Sequence, residues 1–287
     1  MRYKFLRFPE GKAKAVTFSY DDGCPHDIKL AEIFTKNALK CTFNINNGFL
    51  TEPGDGYHLS ISEVKENIID KGHEIAVHGE LHCANGSASP LNGIKDVLNC
   101  RIGLEQKFGM IVRGMAYPDS GVSRFDNGTT YEQVKNYLTY LDIAYARALC
   151  GTVNDFTLPT DWHKWLPTAH HNDPKIFEKI ENFLNISYEN QYISSCHPLL
   201  LYIWGHSYEF PNNNNWDRIE KISEMVSGKD DIWYATNMEI YEYVTAYNSL
   251  VFSADDTVVY NPSLKTIWFF GDGEVYKVNP GETLKLI

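Results

Sequence analysis

The sequence predicts an α/β fold in which seven strands alternate with helices around a parallel sheet. Runs such as Lys14–Tyr20 and Leu199–Trp204 are rich in residues that favour β structure. Helix-like runs with one apolar side lie between the strand-like runs. This alternation predicts a parallel sheet, and a length of 287 residues favours closure into one barrel. A doubly wound open sheet is the alternative, because the pattern alone rarely separates the two folds.

The predicted elements follow one another in a regular order. The seven strands are Lys14–Tyr20, Cys41–Asn46, Glu74–His78, Ile111–Tyr117, Ile143–Arg147, Leu199–Trp204 and Asp231–Tyr234. The helices between and after them are Asp27–Asn37, Ser60–Lys71, Leu91–Phe108, Tyr131–Leu141, Pro174–Leu184, Trp216–Val226 and Glu239–Ser249. Gly72 and Gly109 follow two of these helices, where glycine commonly ends a helix.

The sequence pattern changes at about Leu250. Residues 250–287 have no helical period, and four short strand-like runs alternate with turn signals such as Asn261-Pro262-Ser263 and Gly271-Asp272-Gly273. We therefore predict a barrel over residues 1–249 and a small antiparallel β appendage over residues 250–287.

Composition and charge limit the class of partner. The formal net charge of −11 argues against nucleic acid and anionic membranes, which both select clustered Lys and Arg. A neutral substrate such as a sugar fits this charge better. No run is long and apolar enough to span a bilayer, and no signal-peptide core follows Met1. The six cysteines form no CxxC pair, which predicts free thiols and a cytoplasmic protein. The oligomeric state stays open.

Polar side chains follow five of the predicted strands. The carboxyl ends of parallel barrel strands gather at one face, where the active site of such barrels lies. This arrangement predicts that the following residues converge there: Asp21 and Asp22 after the first strand, His78 at the end of the third and His82 beyond it, Tyr117 at the end of the fourth, Arg147 at the end of the fifth and His206 after the sixth.

One Asp with two His is a common ligand set for Zn²⁺ that leaves positions open for water. His78 and His82 are four residues apart, so one helical turn could direct both rings at one ion. A zincin protease would carry Glu directly after the first His. Here Glu80 stands one place later, which disfavours a zincin. A purely structural role for the two His residues is the other alternative.

The adjacent carboxylates Asp21 and Asp22 could divide their work, with one binding the metal and the other acting as a base. A simple Asp-Asp-Gly turn is the alternative. His206 is well placed to act as a general acid near neutral pH. Its alternative is a histidine that only hydrogen-bonds a loop.

Aromatic side chains of the later segments could contact substrate. Trp162, Trp165 and Tyr208 are candidates for stacking on a sugar ring, although aromatic residues more often lie in the core. His170 lies in the same irregular segment as the two tryptophans and is a further candidate for substrate contact. A plain surface histidine is its alternative.

Four motifs, in this order, resemble the polysaccharide deacetylase (NodB-homology) family, which is similar to carbohydrate esterase family 4. They are Thr17-Phe18-Ser19-Tyr20-Asp21-Asp22-Gly23, His78-Gly79-Glu80-Leu81-His82, Ala116-Tyr117-Pro118 and Trp204-Gly205-His206-Ser207. The resemblance implies a distorted (β/α) barrel with about seven βα repeats. It also implies a metal-dependent hydrolase that removes acetyl groups from N-acetylated sugars.

The resemblance also implies roles for individual residues. Asp22, His78 and His82 would bind a divalent metal, with Zn²⁺ as the expected ion. Asp21 would be the catalytic base.

In the same reading, His206 would be the acid, and the backbone N–H of Tyr117 would help to hold the oxyanion. Many family members orient the base with an Arg three residues before the Tyr. That position is Gly114 here, so Arg147 or Arg113 is expected to replace it.

Other functions remain open at this point. The same scaffold could hydrolyse a non-sugar amide or the O-acetyl ester of a sugar. A carbohydrate-binding protein with a degenerate site is an alternative from another class, and in it the β appendage would recognise the glycan.

Overall fold

The computed structural model describes residues 3–149, 151–152, 155–187 and 196–286. Its strands are β1 Phe5–Arg7, β2 Lys14–Asp21, β3 Cys41–Ile45, β4 Glu74–Val77, β5 Gly114–Ala116, β6 Tyr145–Arg147, β7 Ala169–His170, β8 Leu199–Gly205, β9 Ile232–Tyr234, β10 Val251–Phe252, β11 Val258–Tyr260, β12 Ile267–Gly271, β13 Glu274–Val278 and β14 Thr283–Lys285. Two residues with sequence-based predictions, Cys150 and Ile287, lie outside the described residues.

The helices occupy nearly the predicted places. They are α1 Asp27–Lys36, α2 Ile61–Asn67, α3 Pro90–Phe108, α4 Tyr131–Tyr140, α5 Ile176–Asn185, α6 Glu209–Asn212, α7 Trp216–Val226 and α8 Asn237–Asn248. Among the described residues, no helix is both long and apolar enough to cross a bilayer.

Local sequence explains where several helices begin and end. Capping boxes open α2, α4 and α8, and in α2 the Ser60 side chain accepts from the Glu63 N–H while Glu63 accepts from the Ser60 N–H. Helix α3 ends at Gly109, whose left-handed φ of 63° suits glycine.

Parallel strands form the main sheet in the order β6-β5-β4-β3-β2-β8-β7. Strand β9 also pairs with β2, over the first residues of β2, Lys14–Val16. Strand β3 pairs with the second half of β2, Phe18–Asp21. A parallel bridge joins Arg147 to Trp165, and β7 follows shortly after and pairs with β8. Residues 165–170 therefore link β6, at one edge of the sheet, to β8, near the other edge. Because of this link the sheet curls into the predicted distorted barrel and is not an open doubly wound sheet.

Strand β2 lies at the centre of the sheet, and all eight of its residues are buried. Val16, Phe18 and Tyr20 pack with the residues of the surrounding helices. The alternate residues face a more polar interior, where Thr17 donates to Asn237 and Ser19 accepts from Asn44. A strand covered on both faces is typical of a parallel sheet and explains the strong strand pattern in the sequence.

The C-terminal region forms the predicted antiparallel structure in two small sheets. One has the order β10-β11-β14 and the other β1-β12-β13. The N-terminal strand β1, which has only three residues, was not predicted from the sequence. It pairs with β12 in the register Phe5–Phe270 to Arg7–Trp268, so the N-terminal strand shares a sheet with two strands of the C-terminal region. The division at residue 250 stays a prediction.

Strand β10 of the C-terminal region, which has two residues, was not predicted, and neither were two short elements of the barrel. Strand β7 has two residues and α6 has four, too few to produce a recognisable period in the sequence. Both lie beside the residues that the main sheet brings together at its carboxyl edge.

Candidate active site

The carboxyl ends of four strands bring the predicted polar residues together. Asp21 ends β2, His78 follows β4, Arg147 ends β6 and His206 follows β8. Ion-pair distances below 4 Å connect these residues to each other or to Asp22. The convergence expected at this face of a parallel barrel is therefore present.

Asp22, His78 and His82 form a candidate metal centre. Asp22 Oδ1 lies 3.4 Å from His78 Nε2 and 3.3 Å from His82 Nε2. Donor atoms about 2.0–2.1 Å from a tetrahedral zinc lie roughly 3.3 Å apart, so these separations fit such an ion. His78 Nδ1 donates to the Ala116 carbonyl at 2.9 Å, which leaves its Nε2 unprotonated in the neutral ring and able to bind metal.

Backbone strain accompanies this centre. Asp22 and His82 have φ angles of 79° and 57°, in the left-handed region that costs a residue other than glycine about 1–3 kcal/mol. Between the two histidines, Gly79 has φ 76°, and a Cβ there would collide with Asp96 Oδ2. The turn that directs both rings at Asp22 therefore requires glycine at position 79.

Charge also favours a cation at this position. Burial alone would raise the pKa of Asp22, but the hydrogen bonds that His78 and His82 donate when protonated, with the charges of His78 and His206, outweigh it and hold that pKa well below its usual range. Asp22 is thus held as a carboxylate, the form that a metal requires.

The second carboxylate, Asp21, is held by different residues. Arg147 donates through Nη2 to Asp21 Oδ2, and Asn44 donates to Asp21 Oδ1 at 2.8 Å. Arg113, the other candidate for this role, pairs instead with Asp142 at 2.7 Å. Arg147 therefore orients Asp21.

His206 faces both carboxylates. Its Nε2 lies 3.8 Å from Asp21 Oδ2 and 3.9 Å from Asp22 Oδ2. Its Nδ1 is 2.8 Å from Glu209 Oε1, which can only accept, so Nδ1 carries a proton. Burial lowers the pKa of His206, but the hydrogen bond to Glu209 and the charges of Asp21 and Asp22 outweigh burial and raise it.

Glu209 is a site residue that sequence analysis missed. Besides His206 it approaches His170 Nε2 at 3.4 Å and His171 Nε2 at 3.2 Å. The His-x-x-Glu spacing from His206 was the available signal, but many surface pairs have that spacing.

Glu209, His170 and His171 also lie close enough together to suggest a second metal centre. Hydrogen bonding favours another interpretation. His170 Nδ1 accepts the Asn172 N–H at 3.1 Å, so the proton of the neutral ring lies on Nε2, facing Glu209. We interpret this cluster as a carboxylate surrounded by histidines, because His170 Nε2 then has no lone pair for a metal.

Tyr117 does not have the predicted role. Its N–H donates to the Arg147 carbonyl at 3.0 Å as part of the pairing between β5 and β6. Its side chain is 1% exposed, and its hydroxyl donates to the His163 carbonyl. The expectation that the Tyr117 N–H holds an oxyanion is wrong, because the sheet already uses that donor.

The two tryptophans do not form the predicted sugar platform. Trp165 is 1% exposed and packs against Tyr145 and Tyr202 in the barrel interior, so the prediction is wrong for this residue. Trp162 packs edge-on against Trp165 and against Tyr241 of α8. The structure brings neither ring to the candidate metal centre.

Tyr208 and His170 do lie beside the site. The Tyr208 ring lies 5.1 Å from the His206 ring, and Tyr208 borders the same groove as Asp22 and His82. His170 contacts Trp204 with ring centroids 4.5 Å apart and also approaches Glu209. Substrate contact by these two residues stays a prediction.

The described cysteines are free thiols, as the sequence predicted. Cys24 lies near the site but is buried, and its Sγ is 3.0 Å from Ser207 Oγ. Burial is the main reason why the pKa of Cys24 rises to about 12, so its thiol is a poor metal ligand at neutral pH.

The fold and site together define a (β/α)-barrel protein with a candidate metal centre at the carboxyl edge of its strands. Residues 9–142, slightly less than half of the chain, match the family described as polysaccharide deacetylase. This match confirms the resemblance that the sequence motifs indicate. A search among curated proteins found no match.

Several solved structures are similar to this chain. A Mycobacterium smegmatis protein assigned to the polysaccharide deacetylases is 16% identical, with 86% of this chain and 96% of that chain covered and a TM-score of 0.57. The Xyl-CE4 domain of a multidomain xylanase from the hindgut metagenome of Trinervitermes trinervoides is 15% identical, with 82% and 92% covered and a TM-score of 0.50. At these identities the comparisons establish the fold.

The Streptococcus pyogenes deacetylase PplD, solved in complex with acetate, is 21% identical. The alignment covers 44% of this chain and 51% of that chain, with a TM-score of 0.37. This chain thus spans about half the length of that protein.

Proposed function

We propose that this protein is a metal-dependent hydrolase that removes acetyl groups from N-acetylated sugars. The observation that carries the proposal is the arrangement of three chemically distinct groups. Asp22, His78 and His82 form the candidate metal centre. The carboxylate of Asp21, which other residues hold, lies beside it. His206 lies within 4 Å of both aspartates.

The donor set of one carboxylate and two imidazoles suits Zn²⁺ with positions open for water and substrate. A zinc ion bound there would lower the pKa of water and polarise the acetyl carbonyl. The tautomer of His78, set by its bond to the Ala116 carbonyl, supports its assignment as a ligand.

Asp21 is the proposed general base. Its bonds to Arg147 and Asn44 fix its orientation, and each carboxylate oxygen retains a further lone pair for a proton. Because Asp22 would bind the metal, Asp21 is the carboxylate available to accept a proton from attacking water.

His206 is the proposed general acid. An amine leaves poorly as an anion, so the leaving nitrogen must be protonated as the C–N bond breaks. The Glu209 carboxylate fixes the Nδ1 proton of His206 and so directs Nε2 at the side of the site where the two aspartates lie.

The experiment that tests the proposal measures acetate release from oligomers of N-acetylglucosamine, with added Zn²⁺ and with a chelator. Asp21→Asn is the matched variant, because it removes the base and leaves the metal ligands intact. Release that the chelator and Asp21→Asn both abolish supports the proposal.

O-acetylated xylan should be assayed in parallel. Release from xylan alone would move the protein to the esterases. No release from either substrate by protein that binds stoichiometric Zn²⁺ would point to another amide. No release and no bound metal would favour the carbohydrate-binding alternative.

A further inference from the structure

An open groove begins at the candidate metal centre and continues along the loop that follows β3. It has a volume of about 410 Å³, within the roughly 300–1,000 Å³ typical of ligand sites. Besides the metal-site residues Asp22 and His82, its lining includes three aromatic side chains, Phe49, Tyr57 and Tyr208. Sequence analysis identified only Tyr208 among these three.

Tyr57 is the most exposed of the three aromatic side chains. It is 81% exposed, and no hydrogen bond of its hydroxyl is found among the described residues. A large ring that is left in water beside a metal centre contributes little to folding. A flat apolar face at such a place is well suited to stack on the apolar face of a sugar ring.

The loop that presents Tyr57 is tied to the metal centre. Asp55 Oδ1 accepts the N–H groups of Tyr57 and His58 at 2.8 and 2.7 Å, and the His58 ring stacks on Phe49 at 4.8 Å. The buried Leu59 donates its N–H to the carbonyl of Gly23, directly after Asp22, at 2.8 Å. The backbone that carries Tyr57 is therefore held in place before any ligand arrives, which lowers the entropy cost of ordering this loop on binding.

The charge of the groove restricts the ligand. Among the described residues that line it, none is Lys or Arg. Asp22 lines the groove, and Asp55 lies in its loop, paired with His58 at 3.0 Å. Beyond the metal centre an anionic ring would meet the Asp55 carboxylate with no Lys or Arg among the described lining residues, so a neutral ring is favoured there.

We propose that Tyr57 forms a sugar-binding subsite beyond the metal centre, which takes a second ring of a neutral oligosaccharide while Tyr208 borders the ring being deacetylated. This inference rests on the proposed function and adds a substrate class to it. The substrate is then an uncharged chain of at least two rings, and a single sugar is a poor substrate because it leaves the Tyr57 face uncovered.

The test compares N-acetylglucosamine with its dimer, trimer and tetramer in steady-state kinetics. We expect Tyr57→Ala to lower kcat/KM for the tetramer by roughly 5- to 10-fold through KM, which corresponds to the loss of one ring stacking contact. Its kinetics on the single sugar should not change. Tyr57→Phe should behave as the wild type, because the hydroxyl has no partner to lose.

Tyr140→Ala is the matched control, since it removes a tyrosine that is 89% exposed on α4. Equal kinetics of Tyr57→Ala and wild type on every chain length would overturn the subsite and leave the proposed function standing. A fall in kcat with unchanged KM would overturn the subsite as well.

Calorimetric titration with the tetramer separates the two proposals if the wild type releases no acetate from any length. That result would overturn the proposed function. Weaker binding of the tetramer to Tyr57→Ala than to wild type would still support the subsite, whereas equal binding, or none to either protein, would overturn it.

Discussion

Arg147 and Asp21 form an ion pair whose side chains are 0% and 2% exposed, at the carboxyl edge of the barrel. The guanidinium also lies over the Trp204 ring, 4.7 Å from its centroid. Removing one member of a buried pair leaves an uncompensated charge, whereas removing both does not. This relationship links stability to the proposed chemistry, because the same Arg147 guanidinium that compensates the buried charge of Asp21 also fixes the orientation of its carboxylate.

Replacing Arg147 by Met should therefore be costly. We expect Arg147→Met to lower the free energy of unfolding by about 3–5 kcal/mol and to abolish acetate release. The double variant Asp21→Asn with Arg147→Met should recover most of the stability but no activity. Urea unfolding at neutral pH measures both effects. Wild-type stability of the single variant would show that the pair is not needed.

Metal binding should stabilise the fold in a way that depends on His82. At a free Zn²⁺ concentration 100 times its Kd, we expect about 2.7 kcal/mol of added stability in the wild type. His82→Gln should lose this gain, because one ligand is missing, and His58→Gln should keep it, because His58 lines the groove away from the ligand set. Thermal unfolding with zinc and with a chelator provides the measurement. The same zinc response in both variants would argue against this ligand set.

His206→Ala should separate chemistry from metal binding. We expect kcat to fall by roughly 10²–10⁴-fold, the usual contribution of a general acid. The stoichiometry of bound zinc should not change, since His206 is outside the ligand set. Elemental analysis of the purified variant checks this point, and loss of metal would contradict the assignment.

Glu209→Gln tests the residue that sequence analysis missed. Burial raises the pKa of Glu209, but hydrogen bonds from His170, His171 and His206 outweigh it and hold the pKa well below its usual range. Glutamine keeps an acceptor for His206 Nδ1 and removes the charge. Since a charge-assisted hydrogen bond exceeds a neutral one by about 1 kcal/mol, kcat should fall by roughly 5- to 10-fold with KM nearly unchanged. A change confined to KM would instead place Glu209 in substrate binding.

His73 should make stability depend on pH away from the site. Burial lowers its pKa from 6.5 to about 4. Because the folded pKa is depressed, the unfolded chain takes up the proton first as the pH falls. Stability present above about pH 6.5 is then lost progressively toward pH 4, by about 2 kcal/mol at pH 5.

The free energy of unfolding should fall by about 2 kcal/mol less between pH 7 and pH 5 in His73→Gln than in the wild type. Urea unfolding at the two pH values measures the difference. His26→Gln is the control, because His26 is exposed. The two variants should differ in slope with pH, and identical slopes would show that His73 titrates normally.

Gly205→Ala should disturb the Glu209 cluster through packing. A Cβ at position 205 would collide with the ring of His171, which is stacked between the rings of Tyr20 and Phe210 at centroid distances of 5.6 and 4.3 Å. We expect a loss of about 1–3 kcal/mol in unfolding free energy.

The double variant Gly205→Ala with His171→Ala should recover part of that loss, since the ring that collides is gone. Gly151→Ala is the control, because a Cβ there meets only Leu166 at an ordinary 3.5 Å. Equal destabilisation by the two glycine variants would refute the steric explanation.

The sequence by itself determined the order and type of the longer barrel elements. Helix α7 has the predicted bounds Trp216–Val226, and all seven predicted parallel strands are present. Burial on both faces, as in β2, produces continuous runs of strand-forming residues, and capping pairs such as Ser60 with Glu63 mark helix starts. Strand burial and helix capping depend on residues that are close in sequence, so the sequence pattern predicts them.

The positions of the metal-site residues were also predictable. Asp22, His78 and His82 each follow a strand, and the carboxyl ends of parallel strands meet at one edge. Knowing the fold class was enough to expect these residues to meet.

Only the tertiary structure decided which partner each group has. Asp21 and Arg147 are 126 positions apart, and no local pattern selects Arg147 over Arg113. The same holds for the Tyr117 N–H, which the neighbouring strand occupies, and for Trp165, which the barrel interior encloses. The partner of a hydrogen-bond donor or of an aromatic ring depends on packing between segments that are distant in sequence. The spacing of residues along the chain therefore does not predict it.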